Sequence, residues 1–183
     1  MPWRRLPLLT LVKLSDATPS KNASNSLAWI TMHWRKPAAT GAVLAHERTE
    51  QLLAQLVYLA SAAIGAVLYQ LAPIAAVAAL LPIMAWLFAP PVRRWRELLG
   101  HEVEVQASAL LYCDDIDQVR AREAEALWRA PAYRGLFDHM TLPEIIRALR
   151  RREPVACWIA ARMVPLARHY DEGRLSVSFA RQD

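Results

Sequence analysis

The chain has 183 residues, a formal net charge of +5 and 55% apolar residues, with a slightly positive mean hydropathy of +0.11. Its length fits one small domain, alone or joined to a membrane element. The arginines are mostly interleaved with acidic residues and accompany no basic-aromatic motif, so we do not expect nucleic acid as a partner. The two cysteines, Cys113 and Cys157, show neither CxxC nor Cys/His spacing, which argues against a zinc finger.

Residues 1–40 predict an N-terminal arm, a loop and a candidate strand. The opening apolar run is interrupted by Pro7 and Lys13, which favours a peripheral arm over a signal peptide. Residues 16–26 are small and polar, as is typical of a loop. Residues 27–34 are rich in β-branched and aromatic side chains, which favours a strand.

The clearest feature of the sequence is an apolar segment without charges. Residues 51–92 contain no Asp, Glu, Lys, Arg or His, whereas both flanks are charged. Ala72 and Pro73 divide it into two runs of roughly 20 and 18 residues, and about 20 apolar residues cross a hydrocarbon core about 30 Å thick. The pattern predicts a helical hairpin over residues 41–113, with a membrane segment at residues 52–92. A soluble protein with a buried hairpin is the alternative, because abundant alanine permits close helix packing in either setting.

Arginines flank the apolar segment on both sides, with Arg48 before it and Arg93 and Arg94 after it. Because positive residues are enriched on the cytoplasmic side of membranes, this arrangement predicts a membrane protein with both termini in the cytoplasm. Trp86 and Trp95 lie near the end of the second apolar run. Aromatic residues at that position mark the membrane interface, unless they pack in the protein core.

The remaining chain, residues 114–183, predicts charged helices and a terminal strand. Thr141 and Glu144 have the spacing of a capping box, which marks the start of a helix. Residues 174–179 alternate between apolar and polar side chains like a strand, and we expect them to pair with residues 27–34. The predicted fold is therefore mainly α, with a long helical hairpin, charged flanking helices and a small two-stranded β element.

A group of residues at the start of the hairpin has the spacing of a metal site. His46 and Glu50 are four residues apart, so they share one face of a helix. Imidazole and carboxylate groups are both zinc ligands. Glu47 lies beside them, where a base that activates water on a metal is expected. A zinc hydrolase helix of the HExxH kind has histidine at both ligand positions, whereas the second position here is Glu50.

A second group of such residues follows the apolar segment: His101, Glu102 and Glu104. His46 lies about six residues before the apolar run and His101 about nine after it, so at a rise of about 1.5 Å per residue they reach comparable heights. An antiparallel hairpin lets the two groups face each other outside the bilayer. Helical periodicity does not choose between Glu102, on the more apolar face, and Glu104, which shares a face with His101.

The two groups together resemble a known family. The segments GAVLAHERTEQ and RRWRELLGHEVEVQASA, separated by an apolar hairpin, resemble the small, often phage- or prophage-encoded, HExxH metallopeptidase-like proteins. These proteins are distantly similar to membrane gluzincins. The resemblance covers roughly residues 27–150. It implies a strand, an AHE-containing helix and a later helix with a Glu-x-x-Ala element that supplies the third ligand.

Residue by residue, the resemblance implies a zinc cofactor with His46 as the first ligand and Glu47 as the catalytic base. Glu104, followed by Ala107, matches the third-ligand element, and Glu50 stands where the second histidine is expected. The predicted metal ligands are therefore His46, Glu50 and Glu104, with His101 and Glu102 as alternates.

Two functions are consistent with these patterns. The first is a membrane-anchored zinc metallopeptidase-like protein, either active or degenerate and non-catalytic, with the lipid bilayer as its partner. The second is a structural or assembly protein of a phage particle or its membrane-penetrating apparatus, which associates with itself or with virion proteins. In this second function there is no catalysis, and Glu47 and Glu50 only complement the helix dipole.

Overall fold

A computed structural model of the protein describes residues 41–171 and four short strands before them, with side chains described for residues 41–168. The strands β1 to β4 are Arg4–Leu6, Thr10–Ser15, Ser24–Leu27 and Ile30–Trp34. They form one sheet in the order β1-β2-β4-β3, in which only β2 and β4 are parallel. Residues 174–179, the predicted partner of residues 27–34, lie outside the described residues, so that pairing stays a prediction.

The described part of the chain is mainly helical, which confirms the prediction of a mainly α fold. The helices α1 to α6 are Gly41–Leu71, Leu81–Phe88, Pro90–Tyr112, Ile116–Arg129, Leu142–Arg150 and Glu153–Asp171. Two 3₁₀ segments, Pro73–Leu80 and Pro131–Tyr133, stand between them.

The apolar hairpin turns where proline ends regular helix. Ala72 has an extended backbone, and the 3₁₀ segment that begins at Pro73 continues directly into α2. Ala89 is again extended, and Pro90 begins α3. Within residues 41–171, α1 is long and apolar enough to cross a membrane. The returning arm passes the same test together with α3, although the two are bent by 59° at their junction.

Most of the hairpin has no protein neighbour on its outer surface. The large apolar side chains exposed along it are Leu56, Leu59, Ile64, Val67, Tyr69, Leu71, Ile74, Val77, Leu80, Leu81, Met84, Leu87 and Phe88. Soluble monomers rarely expose a continuous apolar surface of this extent. The two arms themselves touch closely, since a Cβ added to Gly65 would lie 3.2 Å from the Cβ of Ala79.

The base of the hairpin is closed by Trp86. Its side chain is buried against Ala54, with Val57 and Val92 packed around the pair. Trp86 is therefore a core residue, while Trp95 remains 43% exposed. Of the two tryptophans considered for the membrane interface, only Trp95 has the exposure that an interfacial side chain needs.

Below the hairpin, α1 and α3 run side by side in opposite directions. The amide of Gly41, at the start of α1, donates to the hydroxyl of Tyr112, at the end of α3, over 3.0 Å. Small side chains fill the space between α1, α3 and α6: Ala42, Ala45, Ala107, Ala156 and Ala160, together with Leu99 and Val103. A second core joins α3, α4 and α5 through Leu98, Ala124, Leu127, Leu136, Phe137, Ile145 and Leu149.

A buried ion pair fastens α4 and α6 to α3. Arg120 donates to both carboxylate oxygens of Glu102, from Nε over 3.0 Å and from Nη2 over 2.7 Å. The same guanidinium reaches Glu153, at the start of α6, over 2.9 Å. Glu102 also accepts from Gln106 over 2.8 Å. The carboxylate of Glu102 is fully buried, and these hydrogen bonds give it the partners that a buried charge requires.

The ends of the later helices follow their capping residues. Asp115 accepts hydrogen bonds from the amides of Asp117 and Gln118, at 2.9 Å and 3.1 Å, and so begins α4. The amide of Thr141 donates to Glu144 over 2.7 Å in the predicted capping box, which is thereby confirmed.

Replacing Arg120 by methionine should destabilise the protein strongly, because it leaves Glu102 buried without its cation. We expect a loss of about 3–5 kcal/mol in the free energy of unfolding, measured by chemical denaturation in detergent. Arg129→Gln is the matched control: it removes a solvent-exposed pair with Glu125 and should cost at most about 1 kcal/mol. Similar losses in the two variants would contradict a structural role for the buried pair.

Candidate metal centre

The candidate metal centre lies at a close contact between α1 and α3. A Cβ added to Gly100 of α3 would stand 2.5 Å from Nε2 of His46, on α1. The imidazole of His46 thus occupies the space that a side chain at position 100 would take. Because Gly100 has none, His46 lies directly against the backbone of α3 and is 6% exposed.

The two nitrogens of His46 face different carboxylates. Nδ1 lies 3.0 Å from Oε2 of Glu104, and Nε2 lies 3.8 Å from Oε1 of Glu50. The ring of His101 packs edge-on against His46, with 4.6 Å between ring centroids. The structure therefore brings the groups on the two helices into contact. It also separates Glu50 from Glu104, because they approach opposite sides of one imidazole.

Among the described residues, two sets of three have ligand atoms within 4.8 Å of one another, and both include His46. One set adds His101 and Glu104, and the other adds Glu50 and Glu97. The three ligands predicted from the sequence are thus divided between the two sets.

Arg96 distinguishes the two sets, because it already supplies a cation to the second. Its Nε lies 3.1 Å from Glu50, and its Nη2 lies 3.2 Å from Glu97. A metal ion bound there would have to displace a guanidinium that pairs with both carboxylates. The first set carries no arginine contact among the described residues, so His46, His101 and Glu104 form the better cation site.

His101 is held from both sides. Its Nδ1 lies 2.9 Å from Oε2 of Glu123, and its Nε2 lies 2.9 Å from the hydroxyl of Tyr133. The sequence patterns gave no reason to select Glu123 or Tyr133. They stand 22 and 32 residues beyond His101, on α4 and in the loop after it, and no local spacing relates them to a histidine on another helix.

The other candidates occupy distinct positions. Glu102, an alternate ligand, is taken up by Arg120 and has no contact with His46 among the described hydrogen bonds and ion pairs. Glu47, the candidate base, is 7% exposed next to His46 on α1. His139 is exposed.

The protonation of the site without metal follows from its charges. Burial by itself lowers the pKa of His46, but the hydrogen bond to Glu104 and the negative charges of Glu104 and Glu50 outweigh it and raise the pKa well above 6.5. Burial by itself raises the pKa of Glu50, and His46 together with Arg96 lowers it below its usual value. The metal-free site therefore favours an imidazolium between two carboxylates.

Tyr133 remains a neutral hydrogen-bond donor. Burial raises the pKa of its phenol, and the negative charges of nearby glutamates, Glu47 among them, raise it further. The arrangement thus combines two imidazoles, one carboxylate, a half-buried phenol and an adjacent acidic residue at the base of an apolar hairpin. Comparisons with protein-family models, with curated proteins and with solved structures find no match to this chain.

Gly100→Ala tests the close approach of the two helices. Inside a helix this change normally stabilises by about 0.5–1 kcal/mol, but here the new methyl group meets the imidazole of His46. We expect a net destabilisation of about 1–3 kcal/mol, measured as the free energy of unfolding in detergent. In a His46→Ala background the same change should become stabilising, because the space is then empty. Equal effects in the two backgrounds would show that the contact does not control stability.

Proposed function

We propose that this chain is a membrane-anchored, zinc-binding, metallopeptidase-like hydrolase. The observation that carries the proposal is the set His46, His101 and Glu104, whose ligand atoms lie within 4.8 Å of one another at the base of an exposed apolar hairpin. Two histidines and one glutamate are the protein ligands of a known class of catalytic zinc sites, in which the fourth position stays open.

The surroundings of the set fit zinc as well. Zinc-binding imidazoles usually donate their second nitrogen to a carboxylate, which fixes the ring and strengthens the ligand. Glu123 holds Nδ1 of His101 in this way, so a metal would bind Nε2 in place of the hydroxyl of Tyr133. Glu50 approaches Nε2 of His46, which leaves Nδ1, on the side of Glu104. The residue expected as a ligand from the sequence, Glu50, thus fits better as a support for His46.

The chemistry of the site would be hydrolytic. Zinc in such a set polarises a carbonyl group and makes a water molecule more acidic. We assign Glu47 as the proton acceptor, since it follows His46 directly and is buried beside it. Tyr133 offers a neutral hydroxyl at 2.9 Å from His101, where it can donate to a substrate oxygen once it releases the histidine.

The membrane part of the proposal rests on the uncharged hairpin. Both arms expose apolar side chains along most of their length. From residue 52 to the end of α1, the first arm measures about 30 Å at 1.5 Å per residue, which matches the thickness of a hydrocarbon core. Since α1 enters and α3 leaves at the same end, we propose that both termini lie on one side, the cytoplasmic side by the positions of Arg93 and Arg94.

Metal analysis tests the site. We expect detergent-purified protein to hold about one zinc ion per chain after loading and dialysis, and His46→Ala and His101→Ala to abolish this binding. Glu50→Gln should weaken the zinc affinity about 10- to 100-fold, as for a residue that supports a ligand. His139→Ala, at an exposed histidine, is the control and should bind normally. Affinity should fall at acid pH, because zinc must displace the proton that the raised pKa keeps on His46.

The opposite pattern in these variants would contradict the assignment. Retention of zinc by His101→Ala, with complete loss in Glu50→Gln, would favour the ligand set predicted from the sequence. A wild-type protein without affinity for zinc would exclude the hydrolase and favour the structural or assembly function.

Insertion of the hairpin can be tested with one added charge. Ala63 is exposed in the middle of the first arm, so Ala63→Arg should cost about 2.5–3.5 kcal/mol of insertion free energy in a glycosylation-reporter assay. Ala121→Arg, at an exposed position of α4, is the control and should have no effect. A wild-type protein that stays monomeric and soluble without detergent would contradict the membrane anchor.

A further inference from the structure

The end of α4 and the loop after it lie beside the exit of the hairpin. Because α4 runs antiparallel to α3, successive residues of α4 lie closer and closer to the membrane segment. Arg120 pairs with Glu102, and Leu127, two turns later, packs in the same core as Leu98. The loop comes closer still, since Arg94 donates to the carbonyl of Leu136 over 2.9 Å.

Basic and aromatic side chains are exposed at this level. Trp95 and Trp128 are 43% and 45% exposed, and the guanidinium of Arg129 lies 5.8 Å from the ring centre of Trp128. The loop adds Arg134, which is exposed, and the first turn of α3 adds Arg93, whose side chain is 45% exposed. We call these residues the basic collar: Arg93, Trp95, Trp128, Arg129 and Arg134.

The acidic residues near the collar do not cancel its charge. Glu125 pairs with Arg129 over 3.0 Å, and the buried Glu97 lies 3.8 Å from Arg93. Asp138 accepts the amide of Gly135, the residue that follows Arg134, so three carboxylates stand near the collar. Arg94 stands in the same turn as Arg93 and adds a further positive charge. The collar therefore presents an excess of arginine next to two exposed tryptophans.

We propose that the basic collar binds the anionic phospholipid headgroups of the leaflet into which the hairpin inserts. The inference rests on the membrane insertion proposed above, and it adds a lipid preference that an apolar hairpin alone does not have. Arginine near a membrane surface gains from the negative potential of anionic lipids. Tryptophan favours the headgroup level, where its ring is half in apolar surroundings. The collar is continuous with the exposed hairpin, so both surfaces meet one bilayer.

The test measures lipid binding by the whole chain in a neutral detergent. Short-chain phosphatidylglycerol and phosphatidylcholine are titrated separately, and bound lipid is counted by native mass spectrometry. We expect tighter binding of phosphatidylglycerol, a preference that high salt removes. Arg129→Gln and Arg134→Gln should each weaken this binding about fivefold, which corresponds to the usual contribution of one arginine at an anionic surface. Arg93 and Arg94 are left intact, because they bind the loop carbonyls of Ala132 and Leu136.

The matched control is Arg150→Gln, which removes the same charge beside Asp117, at the opposite end of α4. It should leave lipid binding unchanged. Equal affinity for the two lipids, or equal losses in the control and the collar variants, would overturn the proposal. Salt-sensitive binding of a single-stranded RNA in place of phosphatidylglycerol would also overturn it, in favour of a nucleic-acid surface.

A flotation experiment with phosphatidylcholine vesicles and with vesicles that contain phosphatidylglycerol tests the hairpin anchor and the collar separately. If the wild-type chain resists carbonate extraction from phosphatidylcholine vesicles but shows no preference for phosphatidylglycerol, the hairpin anchor stands and the collar alone fails. If it does not associate with either kind of vesicle, the anchor and the collar fail together.

Discussion

The contact between His46 and Gly100 is the constraint on which the rest of the site depends. An imidazole fits between α1 and α3 only because position 100 carries no side chain. At this separation, Glu104 and His101 on α3 reach the same histidine on α1. With wider helix spacing the ionisable groups would be solvated separately. Gly100 weakens α3 locally, but it lets the two helices come close enough for the polar cluster to form between them.

The hairpin is what holds α1 and α3 in this relation. Its arms are joined by a sharp break at Ala72 and Pro73 and closed at the base by Trp86. Because the whole segment of 42 residues lacks charge, the ionisable groups that belong to α1 and α3 are concentrated at its base. A bilayer around the arms would place that cluster next to the headgroups, at the level of the basic collar.

Within the cluster, buried charges are neutralised in defined pairs. Arg96 neutralises Glu50 and Glu97, and Arg120 neutralises Glu102. Such pairs gain little stability relative to apolar packing, but losing one partner is expensive, so they restrict which carboxylates remain available. What is left between the helices is an imidazole–carboxylate contact, His46 with Glu104, beside a second imidazole. This is the position where a divalent cation would replace a proton with the least rearrangement of neighbouring pairs.

The sequence by itself determined the features that depend on neighbours within a few residues. The uncharged segment, the break at Pro73, the capping box at Thr141 and the shared face of His46 and Glu50 all follow from local spacing. The sequence also indicated that the cluster around His46 would meet the cluster around His101. In an antiparallel hairpin, residues at equal distances from the turn lie side by side.

Only the tertiary structure decided which groups belong together. It placed Glu50 and Glu104 on opposite nitrogens of His46, and it set Glu102 against Arg120. It also brought in Glu123 and Tyr133, from elements far along the chain, to hold His101. Periodicity gives the faces of each helix but not the rotation of one helix about its axis relative to the next. That rotation is set by side-chain packing across the whole interface, so the choice among neighbouring carboxylates could not be read from spacing.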